Sequence, residues 1–599
     1  MWRSVVLVGA AMLVYANALR GPFIYDDSAS IVGNEHIRTL RLPDALFSER
    51  ENPTAGRPLV NLSFAINYGV GGLDPIGYRA VNILLHAGCG LLIFALASRT
   101  LASSSLGFAV ALLWIVHPLN SEVIDYVTER SESLMALFFL LTLYAGVRAL
   151  DRPPERSRSR RERERSSSGD RRWTIAAVAA CAAGMACKET MVVAPLVVVL
   201  YDRAFVFDSW ASAWRTRRLL YVGLGATWTL LAWLLRFGPR THSAGFASGA
   251  SPWTYLLNQA VMIVRYLRLS VWPTNLVVNY GWPRPLTLTE AAPYAAVVLA
   301  LIVATVTVAR RSPQMAFAGA WLFVILAPTS SIVPIATEVG AERRMYLPLV
   351  AIIALVTVAA VRVASRLRAP ALATAGLLCV ASTALGAGTM LRNREYESTA
   401  RLSATVDERW PTPVSDALVG YELGQQGRRS EALVRLRRSA EGGYPTAWYN
   451  LGGMLLTGGQ LDEGISALQR FLQEAPLDRA AVQTHLLLGR AFLTRGDVSQ
   501  AIAHLQQARA MDPSNAEVLG GLSDALLAAR QSDRAADGYR AYLALRPDDA
   551  AATLNLGIAL AESGRVREAA TAFERARDLN PGDARASKNL ASLALNAND

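Results

Sequence analysis

The sequence predicts an all-α protein made of two parts, a polytopic transmembrane helical bundle and a C-terminal α-solenoid. Three observations predict this fold class. The mean hydropathy is +0.25 and 52% of the 599 residues are apolar, which is too apolar for several soluble domains. Apolar runs long enough to cross a bilayer follow one another up to residue 391. From residue 413 onward, the pattern changes to a repeat with a period near 34 residues.

Eleven apolar runs are each long enough to cross a hydrocarbon layer of about 30 Å. They lie near residues 4–20, 79–97, 102–118, 133–150, 173–188, 190–205, 218–236, 290–309, 315–333, 346–362 and 371–391. We therefore assign residues 1–391 to the transmembrane domain, residues 392–412 to a linker and residues 413–599 to the repeat domain.

Positive charge predicts how the chain crosses the membrane. Residues 151–172 contain nine arginines and five acids, and further arginines lie at 215–218, 310–311 and 362–368. By the positive-inside rule these segments are cytoplasmic, which gives a cytoplasmic N-terminus and an extracytoplasmic repeat domain. The number of membrane crossings agrees with these sides only if residues 253–272 do not cross the membrane and instead form an interfacial or re-entrant helix.

The formal net charge of +12 belongs to the membrane half of the chain. Residues 413–599 carry 20 basic and 22 acidic side chains, and the residues before them carry 40 basic and 26 acidic ones. We interpret the excess as a topology signal and as contact with lipid phosphate. Membrane lipids are therefore expected partners, and nucleic acid is not.

Two adjacent acids, Asp26 and Asp27, directly follow the first apolar run. Ionising two neighbouring carboxylates at a low-dielectric boundary is costly, and the pKa of one of them tends to rise. Either acid is thus a candidate general base, and the sequence leaves open which one. The alternative is a solvated turn or helix cap, the more frequent role of an Asp-Asp pair in a loop.

Further polar residues fall on the same predicted outer side. They are Arg57, Arg79 and His86, then His117, Glu122 and Arg130, then Lys188, Glu189 and Arg265, and finally Glu342, Arg343 and Tyr346. Ionisable groups at membrane depth are costly, so a set of them on one side predicts a cavity with a function. For His86, a hydrogen-bonded interior histidine is the more frequent alternative.

These residue types suit the transfer of a sugar from a lipid-linked phosphate to a hydroxyl group. A carboxylate, Asp26 or Asp27, takes the proton of the acceptor. Positively charged side chains stabilise the negative charge of the leaving phosphate. The candidates for this role are Arg57, Lys188, Arg265, Arg268 and Arg343. No His, Asp or Glu spacing typical of a metal site is found, so we expect neither a metal nor a resident cofactor.

The repeat half carries an apolar residue followed by a small one once in each repeat. These pairs are Leu451-Gly452, Leu488-Gly489, Leu522-Ser523 and Leu556-Gly557, with Gly464, Ala501, Ala535 and Ala569 at a second small position. This is the tetratricopeptide (TPR) pattern, and it gives about five repeats and a capping helix at 585–597. Such a solenoid presents a concave surface suited to an extended peptide. The alternative is a domain that only supports or dimerises the membrane part.

The motifs together resemble a known family. They are Phe23-Ile24-Tyr25-Asp26-Asp27, Arg57-Pro58-Leu59, Tyr78-Arg79-Ala80-Val81-Asn82 with His86, His117-Pro118 with Glu122 and Arg130, Lys188-Glu189-Thr190, and Glu342-Arg343-Arg344-Met345-Tyr346. In order and in predicted side, they resemble the transmembrane and TPR-containing protein O-mannosyltransferases. The resemblance extends over almost the whole chain.

The resemblance implies a GT-C class fold, a polyprenyl- or dolichyl-phosphate sugar donor, and inverting transfer to Ser or Thr of a protein. The paired acidic motif of the family maps onto Asp26 and Asp27, and Glu342 and Arg343 map to the donor phosphate. The acceptor protein would bind the concave face of the repeats. The short loops and scarce lysines look bacterial, which implies an inner-membrane protein with a periplasmic acceptor.

Two other functions remain open at this stage. One is a non-enzymatic membrane scaffold whose repeats recruit partners for polysaccharide or protein export; it predicts that the outward polar residues line no common site. The other is a ligase that moves a whole lipid-linked oligosaccharide.

Overall fold

The computed structural model describes residues 1–49, 52–150, 160–237, 245, 251–331, 333–475 and 480–596, and for residues 160–170 and 595–596 it describes the backbone alone. Within these residues the chain folds into helices, turns and loops, as the predicted all-α class requires. It divides into two compact units, Met1–Pro411 and Thr412–Asp599.

The described residues of the first unit form sixteen α-helices. They are α1 Trp2–Val14, α2 Leu42–Leu46, α3 Pro58–Gly71, α4 Pro75–Thr100, α5 Ser104–Ile115, α6 Ser121–Asp125, α7 Arg130–Arg148, α8 Arg160–Met185, α9 Ala194–Phe205, α10 Trp210–Leu234, α11 Pro252–Val271, α12 Leu288–Ala309, α13 Pro313–Leu326, α14 Pro348–Arg366, α15 Ala371–Asn393 and α16 Thr399–Arg409. Short 3₁₀ helices at Ala16–Arg20, Glu35–Arg38, Pro118–Asn120, Val127–Glu129, Glu189–Val193, Glu342–Met345 and Arg394–Glu397 and a π turn at Ser28–Val32 connect them.

Five described helical segments are long and apolar enough to cross a membrane. They are Pro75–Thr100, Val127–Arg148, Leu288–Ala309, Pro348–Arg366 and Ala371–Glu397, and a sixth candidate is the pair Ser104–Ile115 and Pro118–Asp125, bent by 56°. These segments fit a membrane protein. The count of eleven spans remains a prediction, because helices such as Trp2–Val14 and Pro313–Leu326 are apolar but shorter.

Helices extend into two segments that the sequence places outside the predicted spans. Of the arginine-rich segment 151–172, residues 151–159 lie outside the described residues, and α8 begins at Arg160. The predicted linker 392–412 contains the end of α15, a 3₁₀ turn and α16, and the side chains of Tyr396, Leu402 and Val406 are buried in the core of the first unit.

The second unit is a series of antiparallel helix pairs. Its helices are α17 Pro413–Gln425, α18 Arg429–Glu441, α19 Pro445–Thr457, α20 Leu461–Glu474, α21 Ala480–Arg495, α22 Val498–Met511, α23 Ala516–Ala528, α24 Ser532–Leu545, α25 Ala550–Glu562, α26 Val566–Leu579 and α27 Ala584–Asn596. This arrangement confirms the predicted solenoid.

Glycines explain why the two helices of a pair pack so closely. A Cβ at Gly452 would lie 2.6 Å from the Leu468 side chain, and one at Gly489 would lie 2.5 Å from that of Leu505. Real side chains essentially never approach so closely. The small residue that marks each repeat in the sequence is therefore the point at which the first helix of a pair contacts the second.

Candidate active site

The polar residues singled out in the sequence lie at one end of the first unit. There, Arg343 after α13 pairs with Glu122 after α5, and the Leu59 N–H at the start of α3 donates to the Ala186 carbonyl after α8. At the opposite end, Arg3 donates to Ser105 at the start of α5 (3.0 Å). The shared end agrees with the predicted common side, and which end faces outward remains a prediction.

Arg79 on α4 fixes the loop that carries the acidic pair. Its buried guanidinium donates to three backbone carbonyl groups, those of Gly21, Pro22 (2.5 Å) and Asp125 (3.1 Å). Gly21 is required here, because a Cβ at this position would lie 2.8 Å from the Tyr396 carbonyl oxygen. Arg79 therefore positions backbone and does not contribute a donor to an open site.

The two adjacent acids have different surroundings. Asp27 is fully buried, and its Oδ2 accepts the Ile24 N–H at 3.0 Å. Its Oδ1 accepts from the Thr128 N–H at 2.7 Å and from the Thr128 hydroxyl at 2.6 Å. Burial raises the pKa of Asp27 to about 6, against the opposing effect of these hydrogen bonds. Asp27 thus holds the loop to residue 128.

Asp26, in contrast, has an exposed side chain. Its backbone N–H donates to the Tyr126 hydroxyl at 2.9 Å, which fixes the backbone next to the 3₁₀ turn Val127–Glu129. The turn at Tyr25 has a positive φ of 44°, so the chain bends directly before the two acids. Of the two carboxylates, that of Asp26 is the one that an incoming hydroxyl group can reach.

A group of charged side chains, here called the Arg343 cluster, lies next to this loop. It consists of Arg57, Glu122, Glu129, Glu132, Lys188, Glu189, Glu338 and Arg343. Thr128, which holds Asp27, directly precedes Glu129 in the chain. The acidic pair and the charged cluster are therefore neighbours.

Ion pairs connect the members of the Arg343 cluster. The guanidinium of Arg343 contacts Glu122, Glu129 (3.2 Å) and Glu338. Lys188 contacts Glu129 at 3.2 Å and Glu132 at 2.9 Å.

Arg57 pairs with Glu189 at 3.0 Å, and Glu189 follows Lys188 in the chain. The cluster holds five carboxylates and three cations, so with all groups ionised it has a net charge of −2. Each of the three nitrogens of Arg343 contacts a carboxylate, whereas Arg57 contacts Glu189 through Nη2 alone and its Nε has no hydrogen-bond partner among the described residues.

A second group, here called the Glu342 cluster, contains Glu342, Arg392, Glu395 and Arg409. Glu342 accepts the Val277 N–H at 2.6 Å and the Tyr280 hydroxyl at 3.0 Å, and it lies 3.5 Å from Arg392. Glu395 pairs with Arg392 and, at 2.8 Å, with Arg409. Burial raises the pKa of Glu342. This cluster is balanced in charge, and its central residues Glu342 and Arg392 are buried, whereas Arg409 is partly exposed.

Both predicted histidines have their ring nitrogens engaged by protein groups. His86 lies 2.8 Å from the Tyr346 hydroxyl through Nδ1 and 3.0 Å from the Ile115 carbonyl through Nε2. His117 accepts the Leu119 N–H through Nδ1 at 3.2 Å, and its Nε2 lies 3.2 Å from the Ser270 carbonyl. Their surroundings are those of hydrogen-bonded interior residues.

Arg130 and Arg265 also contact protein groups away from the Arg343 cluster. Arg130 is fully buried and donates to Asn82 (2.8 Å), Asn67 (2.6 Å) and the Tyr78 carbonyl (2.7 Å). Arg265 donates to the Asn275 carbonyl at 3.1 Å and stacks on the rings of Tyr280 and Trp410, with its guanidinium carbon 5.0 and 4.3 Å from the ring centroids.

The structure thus separates the predicted residues into two sets. Those brought together near the acidic pair are Arg57, Glu122, Lys188, Glu189 and Arg343, whereas Arg79, His86, His117, Arg130, Arg265, Glu342 and Tyr346 lie in interior networks. Sequence reasoning missed three members of the cluster, Glu129, Glu132 and Glu338. The sequence could have indicated Glu129 and Glu132, because placing an acid at the start of an apolar run, near membrane depth, is as costly as placing the other predicted ionisable residues there.

In the part of the chain that the structure describes, no group of three or more His, Cys, Asp or Glu side chains could hold a metal ion. The expectation that no metal or resident cofactor is needed stays a prediction.

Comparison with known proteins adds two findings. Residues 420–479, 486–550 and 554–599 match the family model for the tetratricopeptide repeat. Among solved structures, the crystal structure of YrrB, a TPR protein, is 18% identical with a TM-score of 0.29 and covers 31% of this chain and 95% of that one. MamA from Desulfovibrio magneticus RS-1 is 21% identical with a TM-score of 0.25 and covers 26% of this chain and 86% of that one.

The chain is also similar to curated proteins that share one name. Protein O-mannosyl-transferase Tmtc2 of Drosophila melanogaster is 30% identical over 290 residues, which are 45% of this chain and 29% of that protein. Protein O-mannosyl-transferase TMTC4 of Homo sapiens is 31% identical over 211 residues, which are 31% of this chain and 27% of that protein. The chain thus covers less than a third of the length of these relatives. The resemblance seen in the motifs is confirmed as sequence similarity to these proteins.

Proposed function

We propose that the first unit is a glycosyltransferase of the GT-C class that moves a hexose, mannose for example, from a polyprenyl phosphate to Ser or Thr of an extracytoplasmic protein. One observation carries the proposal. The loop with Asp26 and Asp27 is hydrogen-bonded to Thr128, and the next residue, Glu129, belongs to the Arg343 cluster. A reachable carboxylate and a group of cations are thus neighbours, as such a transfer requires. The names of the curated relatives support the same reaction.

The reaction assigns one role to each side of the site. The Asp26 carboxylate takes the proton of the acceptor hydroxyl as its oxygen bonds to the anomeric carbon. The bond from that carbon to the phosphate oxygen breaks on the opposite face, which inverts the configuration. The leaving polyprenyl phosphate keeps the bonding electrons, and the nearby cations Arg343, Lys188 and Arg57 offset its negative charge.

The roles of the remaining parts follow from their surroundings. Asp27 and Arg79 position the loop, because their polar atoms are engaged by backbone and by Thr128. The repeat unit would bind the acceptor protein along its concave surface. The site then faces the extracytoplasmic side, where the repeats also lie, with the N-terminus in the cytoplasm.

A transfer assay with the full chain tests this function. The purified protein in lipid nanodiscs receives an undecaprenyl-phosphate hexose and a mixture of Ser- and Thr-containing peptides. Mass spectrometry is expected to find one added hexose on Ser or Thr with the wild type and almost none with Asp26→Asn. Absence of transfer with several hexoses, together with partner capture by the repeats in cells, would favour the scaffold instead. Transfer of an oligosaccharide in one step would favour the ligase.

A further inference from the structure

The guanidinium of Arg343 has a separate carboxylate at each of its three nitrogens. Nη1 contacts Glu122, Nε lies 3.2 Å from Glu129, and Nη2 contacts Glu338. A phosphate that binds Arg343 through its fork uses two of these nitrogens, so it competes with at least one of these carboxylates. Which one leaves depends on how firmly each is held.

Glu122 and Glu129 are firmly held. Glu122 is fully buried, and it accepts the backbone N–H of Arg343 at 2.9 Å in addition to the side-chain contact. Glu129 is shared, because its second oxygen accepts from Lys188 at 3.2 Å. Displacing Glu122 would leave the Arg343 backbone N–H without its acceptor, and displacing Glu129 would remove one of the two carboxylates that pair with Lys188.

Glu338 is held the least. It lies outside the helices, on the stretch between α13 and the 3₁₀ turn Glu342–Met345, and its side chain is 17% exposed against 0% for Glu122. Its only ion pair in the described residues is the one with Arg343. Its second oxygen is buried and has no hydrogen-bond partner among the described residues. Moving this side chain away breaks the fewest interactions.

We propose that Glu338 is a place-holding carboxylate: it occupies the position on Arg343 that the donor phosphate takes, and it leaves Arg343 when the donor binds. The inference rests on the proposed function, since it names the exchange by which that site admits an anion. Without the exchange, the phosphate would lie beside a carboxylate, and like charges at contact are repulsive. In the absence of donor, Glu338 offsets the charge of Arg343.

The exchange has a consequence for affinity. Glu338 competes with the phosphate, so removal of its charge is expected to strengthen donor binding. Removal of Glu122 is expected to weaken it, because Arg343 would lose the partner that orients it. The two acids contact the same guanidinium and are thus predicted to have opposite effects.

Binding of undecaprenyl phosphate to the full chain in nanodiscs tests this, with undecaprenol as the probe that lacks a phosphate. Glu338→Gln is expected to bind the phosphate lipid about tenfold more tightly than the wild type, because like-charge repulsion of this kind is worth at least that factor. The matched control is Glu397→Gln, which removes one charge from the first unit at an exposed acid that pairs with Arg401, outside the Arg343 cluster. It is expected to change the affinity by less than about twofold. Undecaprenol binding should be equal in all variants.

Each other outcome overturns the inference in a distinguishable way. Equal tightening by Glu338→Gln and Glu397→Gln would show a general charge effect. If Glu338→Gln binds the phosphate lipid more weakly than the wild type but melts at the same temperature, Glu338 favours donor binding instead of competing with it. Glu338→Ala provides a second check of this result. In both cases, the proposed function stands if the wild type transfers hexose. A wild type that neither binds undecaprenyl phosphate nor transfers hexose would overturn the proposed function together with this inference.

Discussion

Two charge clusters begin at adjacent residues, Glu342 and Arg343, and they differ in charge balance and in the exposure of the arginine at their centre. In the Glu342 cluster, two acids meet two arginines, and the side chains of Glu342 and Arg392 are 0% and 3% exposed. In the Arg343 cluster, five acids meet three cations, and the side chain of Arg343 is 18% exposed.

This difference indicates which charged groups stabilise the fold and which can bind a ligand. A balanced group with the buried Glu342 and Arg392 at its centre fixes the 3₁₀ turn Glu342–Met345 against α15 and α16. An unbalanced, partly open group next to an exposed aspartate can exchange partners. The predictions below separate the two clusters, beginning with the largest expected effect.

The largest effect is expected in the Glu342 cluster. Arg392→Met removes the partner of two buried or half-buried acids, Glu342 and Glu395, and should lower the stability by about 3–5 kcal/mol, as breaking a buried ion pair does. Thermal unfolding of the detergent-solubilised protein measures this. Arg401→Met is the control, since the ion pair of Arg401 with Glu397 is about half exposed and its loss should be barely measurable. Equal melting temperatures for both variants would contradict the structural role.

A smaller effect, on the KM for the donor instead of the stability, is expected in the Arg343 cluster. Arg343→Lys keeps the charge and loses the planar fork, so the KM for the polyprenyl-phosphate donor should rise about tenfold while the melting temperature stays near that of the wild type. Donor-dependent transfer kinetics give the value. A large loss of stability with an unchanged KM would place Arg343 in the same structural class as Arg392.

An effect of similar size, but on local stability, is expected in the repeat unit, where two histidines lie side by side. His485 on α21 and His504 on α22 lie 3.0 Å apart through their Nδ1 atoms, and burial lowers the pKa of both. Because each folded-state pKa lies below its ordinary value, the unfolded chain binds more protons in acid. Stability is therefore lost as the pH falls through about 6.5, the ordinary value for histidine.

Hydrogen exchange of the full chain at pH 7 and pH 5 measures this loss locally. After correction for the intrinsic exchange rates, protection in α21 and α22 should fall by about tenfold at pH 5, which corresponds to about 1.4 kcal/mol. The helices α25 and α26 serve as the internal reference, and His504→Gln should reduce the difference between the two pH values. An equal fall in all four helices would show that the histidine pair is not the cause.

The hydropathy of the apolar runs and the period of the repeats could predict the fold class, because each is a property of a whole segment and does not depend on single contacts. The small residue in each repeat, such as Gly489 against Leu505, marks a contact that recurs, so the solenoid could be read from the sequence. The site was predicted only in part. Glu342 and Arg343 are neighbours in sequence, and their separation into two clusters depends on the tight turn that follows Ala341. Likewise, His86 and Arg130 share a predicted side with the site, but their hydrogen bonds to Tyr346 and Asn82 depend on distant packing.

The most direct measurement compares the two neighbouring acids, in transfer rate and in melting temperature, as Asp26→Asn and Asp27→Asn. Asp26→Asn should lower the transfer rate by about 10²–10⁴ at an unchanged melting temperature, because it removes the general base from an exposed position. Asp27→Asn should lower the melting temperature, because an amide cannot accept all the hydrogen bonds from Ile24 and Thr128, and an unsatisfied buried donor costs about 1–3 kcal/mol. Full transfer activity in Asp26→Asn would contradict the account.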